Sequence, residues 1–129
     1  MKKIYFLFLF STYYFVAQTN TEVHVFDITL TNNKYHLSNG KNISNNKGYD
    51  SQPYFYENNK LIFASSRKNN TDIVIYDLLD NTKRFISNTP NGGEYSPQRI
   101  PNSKSISAVR LDNDGLQRFI STILKQEKI

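Results

Sequence analysis

The stretch Leu61-Ile62-Phe63-Ala64-Ser65-Ser66-Arg67, followed by Asp72-Ile73-Val74-Ile75-Tyr76-Asp77, decides the fold. Two apolar runs of strand length, rich in β-branched and aromatic residues, flank Lys68-Asn69-Asn70-Thr71, a turn composition. Neither run alternates apolar with polar residues, so each reads as a strand buried on both faces. The same punctuation continues in both directions. Strands are predicted over 22–30, 34–37, 53–56, 61–65, 72–78, 83–86, 96–100 and 105–111. Between them lie Glu57-Asn58-Asn59-Lys60, Asp80-Asn81-Thr82 and Pro101-Asn102-Ser103-Lys104. Asn and Asp tolerate the left-handed conformation that tight hairpins require.

The runs recur. Pro53 and Pro97 stand 44 residues apart, and the same offset lays Asn58 on Asn102, Lys60 on Lys104, Ile62 on Ile106 and Ala64 on Ala108. An offset of 50 lays Glu22-Val23-His24-Val25-Phe26-Asp27 on Asp72-Ile73-Val74-Ile75-Tyr76-Asp77, the extra length falling in an Asn-rich loop over 38–48. Each unit reads as four short strands in about 40–45 residues, the spacing of a β-propeller blade. Pro53 and Pro97 open strands, where a missing N–H costs least.

These residues resemble the WD-repeat-like blades of the TolB type, bacterial β-propeller repeats. Leu61 to Arg67 is similar to that family's second-strand motif, ending Ser-x-Arg, and Asp72 to Leu78 to its third. Tyr95-Ser96-Pro97 and Ile100-Pro101-Asn102-Ser103-Lys104 are similar to its Ser-Pro opening and following turn. The resemblance covers roughly residues 22–118. It departs at Glu57-Asn58-Asn59-Lys60, which lacks the Pro and Gly of the usual turn. It implies an all-β chain, a partial propeller of about two four-stranded antiparallel blades. A closed ring needs about 160 residues. The expectation is therefore the N-terminal part of a longer propeller, a truncated product, or a subunit that completes its ring by self-association.

Residues 1–17 differ from the rest. Lys2 and Lys3 precede an apolar run over 4–10 and a second over 13–16, and Ala17 meets a polar chain. This is the layout of a secretory signal peptide, although Phe15 sits where a small residue is expected. It is shorter than a membrane span and broken by Ser11 and Thr12, which favours a cleaved signal, with an uncleaved anchor as the alternative. Its removal takes two Lys and no acid, leaving 14 basic against 11 acidic residues over 18–129, the propeller region. The mild excess is scattered, without the clustered basic face that phosphate tracking requires, and speaks against nucleic-acid binding. Export without any Cys points to a bacterial envelope, periplasmic or secreted.

The end of the chain carries two readings. Leu116, Phe119, Ile120, Ile123 and Leu124 follow helical spacing, and Asp114 with Gln117 can form a capping box. The repeat register asks instead for a strand over 117–122. The strand is preferred, because local propensity yields to the global pattern, and a short C-terminal helix is the alternative.

Candidate sites are few. Asp112-Asn113-Asp114-Gly115 offers Asp112 and Asp114 as oxygen ligands for a cation, yet it lacks the rest of a calcium loop and fits a hairpin turn better. Asp27 and Asp77 read as caps of the turns after their strands. His24 and His36 are the only His and lie on predicted strands, a poor basis for a metal site. Ser96 precedes Pro97, which rules out a nucleophile elbow, and Gly92-Gly93 reads as a turn needing positive φ. No catalytic residue and no cofactor is assigned. Tyr49, Tyr54 and Tyr95, near the starts of the units, are the best residues for a binding face, with aromatic packing as the competing role. The function expected is a non-enzymatic, exported interaction module with a protein partner in the envelope. The alternatives are the N-terminal propeller of a prolyl-oligopeptidase-like hydrolase and a remnant without function.

Overall fold

The computed structural model describes residues 20–68 and 70–124. The signal-peptide expectation for 1–17 lies outside these residues. Nine strands and no helix are assigned among the described residues. They are β1 (His24–Thr31), β2 (Lys34–Asn42), β3 (Asp50–Glu57), β4 (Lys60–Arg67), β5 (Asn70–Asp77), β6 (Thr82–Phe85), β7 (Gly93–Arg99), β8 (Ser105–Leu111) and β9 (Gln117–Ile123). The all-β expectation therefore holds.

Two sheets form, and neither closes. β1 and β2 make an antiparallel hairpin, while β3 to β9 form a seven-stranded sheet. The larger sheet is two antiparallel meanders, β3–β4–β5–β6 and β7–β8–β9, joined through the parallel pair Thr71↔Gly93. A similar parallel bridge, Thr21↔Tyr49, ties the start of the hairpin to the start of β3.

The double burial read from the sequence is real. Leu61, Phe63, Val74 and Tyr76 point to one side of the central meander and pack with Val23 and Ile43 of the hairpin segment. Ile62, Ala64, Ile73 and Ile75 point to the other side and pack with Ile106 and Ala108 of β8, with Ile120 of β9 against them. Each strand alternates its side chains between two apolar environments, so a continuous apolar run is stable there.

Three expectations need correction. The loop predicted over 38–48 begins later, because β2 runs on to Asn42 through a bulge at Asn39 (φ 51). The short C-terminal helix does not form. Seven consecutive rungs from Leu111↔Gln117 to Ser105↔Ile123 hold that segment as β9, and tertiary pairing overrides the helical stripe. The 44-residue offset holds for β7 but slips to 45 along β8. Asp50 faces Ser65 across β3–β4, whereas Glu94 faces Arg110 across β7–β8. A one-residue slip moves side chains to the opposite face. Ile106 and Ala108 thus meet Ile62 and Ala64 across the shared core instead of taking their places.

The turns follow the chemistry of their residues. Asn32 (φ 51) and Asn33 (φ 58) supply the left-handed pair of a type I′ hairpin. Gly48 (φ 118) and Gly92 (φ 101), 44 residues apart, precede β3 and β7, and a Cβ on Gly92 would lie 2.1 Å from the Leu111 carbonyl oxygen. Gln52 (φ 59) and Ser96 (φ 49), also 44 apart, are left-handed directly before Pro53 and Pro97. A residue preceding proline favours extended backbone, so both bulges hold strain of about 1–3 kcal/mol each. The two are linked: Ser96 N–H donates to the Gln52 side-chain oxygen at 2.8 Å.

Candidate functional site

The three tyrosines singled out from the sequence do not share one surface. Tyr49 and Tyr95 meet edge to face, ring centroids 6.1 Å apart, and both are partly buried against the core between the meanders. Their packing role accounts for them. Tyr54 lies apart on β3 and is 40% exposed.

Tyr54 borders a groove that the sequence reading missed. β3 is the edge strand of its sheet. Beside it a hollow of about 570 Å³ is lined by Tyr54, Phe55, Tyr56, Glu57, Asn58 and Arg99. A second hollow of about 400 Å³ shares Glu57, Asn58 and Arg99 and continues past Asn59, Lys60, Asp77 and Leu79. Arg99 is held in place by donating to the Tyr56 carbonyl at 3.3 Å, with its guanidinium 5.4 Å from the Tyr56 ring centre. Glu57 and Lys60 pair at 3.1 Å across the β3–β4 turn. The groove thus combines an open strand edge, two exposed aromatic rings and a fixed guanidinium, means by which proteins bind extended peptides. Phe55 was legible as part of an aromatic cluster with Tyr54 and Tyr56, whereas Arg99 carried no signal, because the sequence does not say where two strands meet.

The buried polar residues are mostly structural. Asp72 is fully buried, pairs with Arg67 at 2.9 Å and accepts from Thr89 N–H at 2.8 Å. Arg67 also lies over the Phe85 ring at 4.7 Å. This explains the chemistry of the Ser-Ser-Arg and Asp-Ile-Val motifs: the cation on β4 neutralises the carboxylate on β5. Ser87 Oγ accepts from Ile73 N–H at 2.8 Å and reaches Asp72 at 3.3 Å. Ser44 repeats this, accepting from Val23 N–H at 2.9 Å and donating to Glu22. The Ser44 hydroxyl, helped by Asn42 and the backbone of Asn46 and Asn45, holds the Glu22 carboxyl below its usual range. Glu94, 2% exposed, is bound through one carboxylate oxygen by both Nε and an Nη of Arg110.

Asp50 differs from these acids. It is 1% exposed, and neither carboxylate oxygen has a hydrogen-bond partner among the described residues. Ser65 Oγ, on the residue paired with it across β3–β4, is likewise unpartnered. Burial pushes the Asp50 carboxyl up, while Ser65, Asn46 and Lys83 pull against it.

The remaining candidates resolve locally. Asp112 and Asp114 both pair with Arg118, at 2.6 Å and 2.7 Å, and Asp114 also accepts from Leu116 N–H. The guanidinium brings the Asp114 carboxyl down to about 2 and raises Arg118 in turn. Their oxygens are engaged by a cation the chain supplies itself, so the turn reading accounts for them. Asp77 caps its turn, accepting from Leu79 N–H at 2.9 Å. Asp27 does not cap, because β1 continues past it and it accepts instead from Asn39. His24 and His36 are exposed on the hairpin. Among the described residues no three His, Cys, Asp or Glu side chains are grouped to hold a metal ion, and no helix is long and apolar enough to cross a membrane.

No family model matches the chain, and no curated protein matches it.

Proposed function

We propose that the chain is a segment of an exported β-propeller, similar to the TolB type, that binds a protein partner in the bacterial envelope through the Tyr54–Arg99 groove. The blade reading is supported by recurrence. The left-handed Gln52 and Ser96, the Gly48 and Gly92 turns and the two single parallel bridges return at the sequence offsets, and the serine caps return on the equivalent residues Val23 and Ile73. The hairpin corresponds to the last two strands of one blade, β3 to β6 to a whole blade, and β7 to β9 to the first three strands of the next. Face-to-face burial of successive meanders fits blade packing.

One observation carries the binding role: Arg99, positioned against Tyr56, lies in the same groove as the exposed rings of Tyr54 and Phe55, along an open strand edge. Apolar and aromatic anchors beside a fixed cation on a rigid scaffold suit an extended peptide carrying an acidic or aromatic side chain. The test places a photoreactive phenylalanine analogue at Tyr54 in cells exporting the chain. The expected result is a discrete envelope-protein adduct that Arg99→Glu abolishes. Absence of an adduct, or one indifferent to Arg99, overturns the reading.

A further inference from the structure

The chain twice lays one sheet face on the next in a fixed order. The side of the hairpin segment carrying Val23, Val25 and Ile43 meets Leu61, Phe63, Val74 and Tyr76. The opposite side of that central meander, with Ile62, Ala64, Ile73 and Ile75, meets Ile106, Ala108 and Ile120. Strand alternation sends the remaining side chains to the two outer faces of the molecule.

Among the described residues nothing covers either outer face: the hairpin's is apolar, and that of β8 and β9 sets Val109, Phe119 and Ile123 among Ser105, Ser107 and Ser121. On the hairpin, the rungs Ile28↔Leu37 and Leu30↔Tyr35 gather these four side chains on one side, with Phe26 following by alternation and its ring lying across Gly40. All five are 49–73% exposed. The other side carries Asp27, Thr29, Lys34 and His36. Such clean alternation belongs to a sheet with one buried face, yet here the apolar face is the one in solvent. At the far end, the rungs Val109↔Phe119 and Ser105↔Ile123 turn Phe119 and Ile123 away from the core, at 89% and 72% exposure.

We propose that these two faces are the halves of one interface, filled head to tail by a second copy of this chain. The proposal rests on the blade reading above. Its argument is continuity. Phe26 stands 50 residues before Tyr76, and Tyr76 is on the face that receives the preceding sheet. The rung Val109↔Phe119 corresponds to Ala64↔Ile73, on the face that is presented to the following sheet. Among the described residues a receiving face is thus open on β1 and β2 and a presenting face on β8 and β9. The chain's own contacts join a presenting face to a receiving face in both cases, never like to like. Five large side chains at this exposure offer on the order of 500 Å², approaching the roughly 800 Å² per partner of a stable interface. A heterologous contact of this kind closes into a ring when its rotation permits.

The absence of Cys from the sequence makes the test clean. Leu37→Cys and Phe119→Cys are made as separate variants of the full chain, both at exposed positions. With a short bis-maleimide, the mixture is expected to link one variant to the other, while neither alone links to itself. Light scattering is expected to show a discrete oligomer that dissociates on dilution, and Phe119→Asp is expected to abolish it without lowering the unfolding midpoint of the dilute chain. A monomer at every concentration overturns the proposal, as does Leu37→Cys linking to itself as well as to its partner variant. A monomer that still forms the Tyr54 adduct removes this contact alone. An oligomer without the adduct removes the binding reading alone.

Discussion

β1 and β5 carry nearly the same pattern, Glu22-Val23-His24-Val25-Phe26-Asp27 and Asp72-Ile73-Val74-Ile75-Tyr76-Asp77, and live in opposite surroundings. β5 is buried along almost its whole length, while β1 is exposed along most of it. The local anchoring is shared: a serine hydroxyl accepts from the second residue, and Ile43 and Ile86 each donate to that residue's carbonyl. What differs is the neighbour on the receiving side. Strand pattern fixes local hydrogen bonding and leaves burial to whatever sheet arrives next. The largest consequence concerns side-chain truncation. Tyr76→Ala removes a ring that is 5% exposed and should destabilise the chain by about 3 kcal/mol. Phe26→Ala, 50 residues earlier, should change a dilute sample by less than about 1 kcal/mol. Urea denaturation of both variants checks this. Equal losses would mean that the hairpin face is already covered in the isolated chain.

The shared anchoring can be broken at equivalent points. Ser87→Ala leaves the Ile73 N–H without its side-chain acceptor inside the central meander and should cost about 1–2 kcal/mol of global stability. Ser44→Ala removes the corresponding acceptor from Val23 N–H. The hairpin has few buried contacts beyond Val23, Val25 and Ile43, so it should open locally while the rest stays folded. Native-state hydrogen exchange distinguishes the two. The Ser44 variant should lose protection only in β1 and β2, and the Ser87 variant across the central meander. Global loss in both would show that hairpin and meander unfold as one unit.

Most of this architecture was legible in the sequence because its signals are local. Apolar runs of strand length, Asn turns and the paired prolines placed the strands within a few residues. The register of β8 was not legible. Ile62 with Ile106 and Ala64 with Ala108 align by identity, but an identical residue on the wrong face looks the same in one dimension. The longer β7–β8 connection through Pro101 to Lys104 supplies the slip. Tyr54 stands out in the sequence as one of a cluster of aromatic residues, and the structure sets it inside β3 beside the groove. Arg99 was missed because its position depends on β7 lying beside β3, a long-range contact. For Tyr49 and Tyr95 the packing role weighed from the sequence is the one seen, because the two rings meet across the meanders.

The smallest effect separates β3 from β7. Both begin with a buried acid at the same offset, and both acids face a residue on the next strand. Glu94 faces Arg110 and is ion-paired; Asp50 faces Ser65 and has no hydrogen-bond partner among the described residues. Burial holds the Asp50 carboxyl above its unfolded value, with Ser65, Asn46 and Lys83 easing and Glu22 adding to the shift. Its contribution to stability is therefore fully present below the unfolded pKa, near 3.8, and is lost as pH rises through the folded value. At neutral pH the ionised group is a liability, because the cost of burying its charge outweighs what Ser65, Asn46 and Lys83 return. Asp50→Asn keeps the shape and removes the charge. It should stabilise the chain by about 1 kcal/mol at neutral pH, and the gain should shrink as pH falls toward the ordinary carboxylate range. Urea midpoints of both chains across that range measure the difference. If Asp50→Asn instead lowers stability at neutral pH, the carboxylate is bound there by a cation or an ordered water, and the contrast with Glu94 becomes one of partner instead of satisfaction.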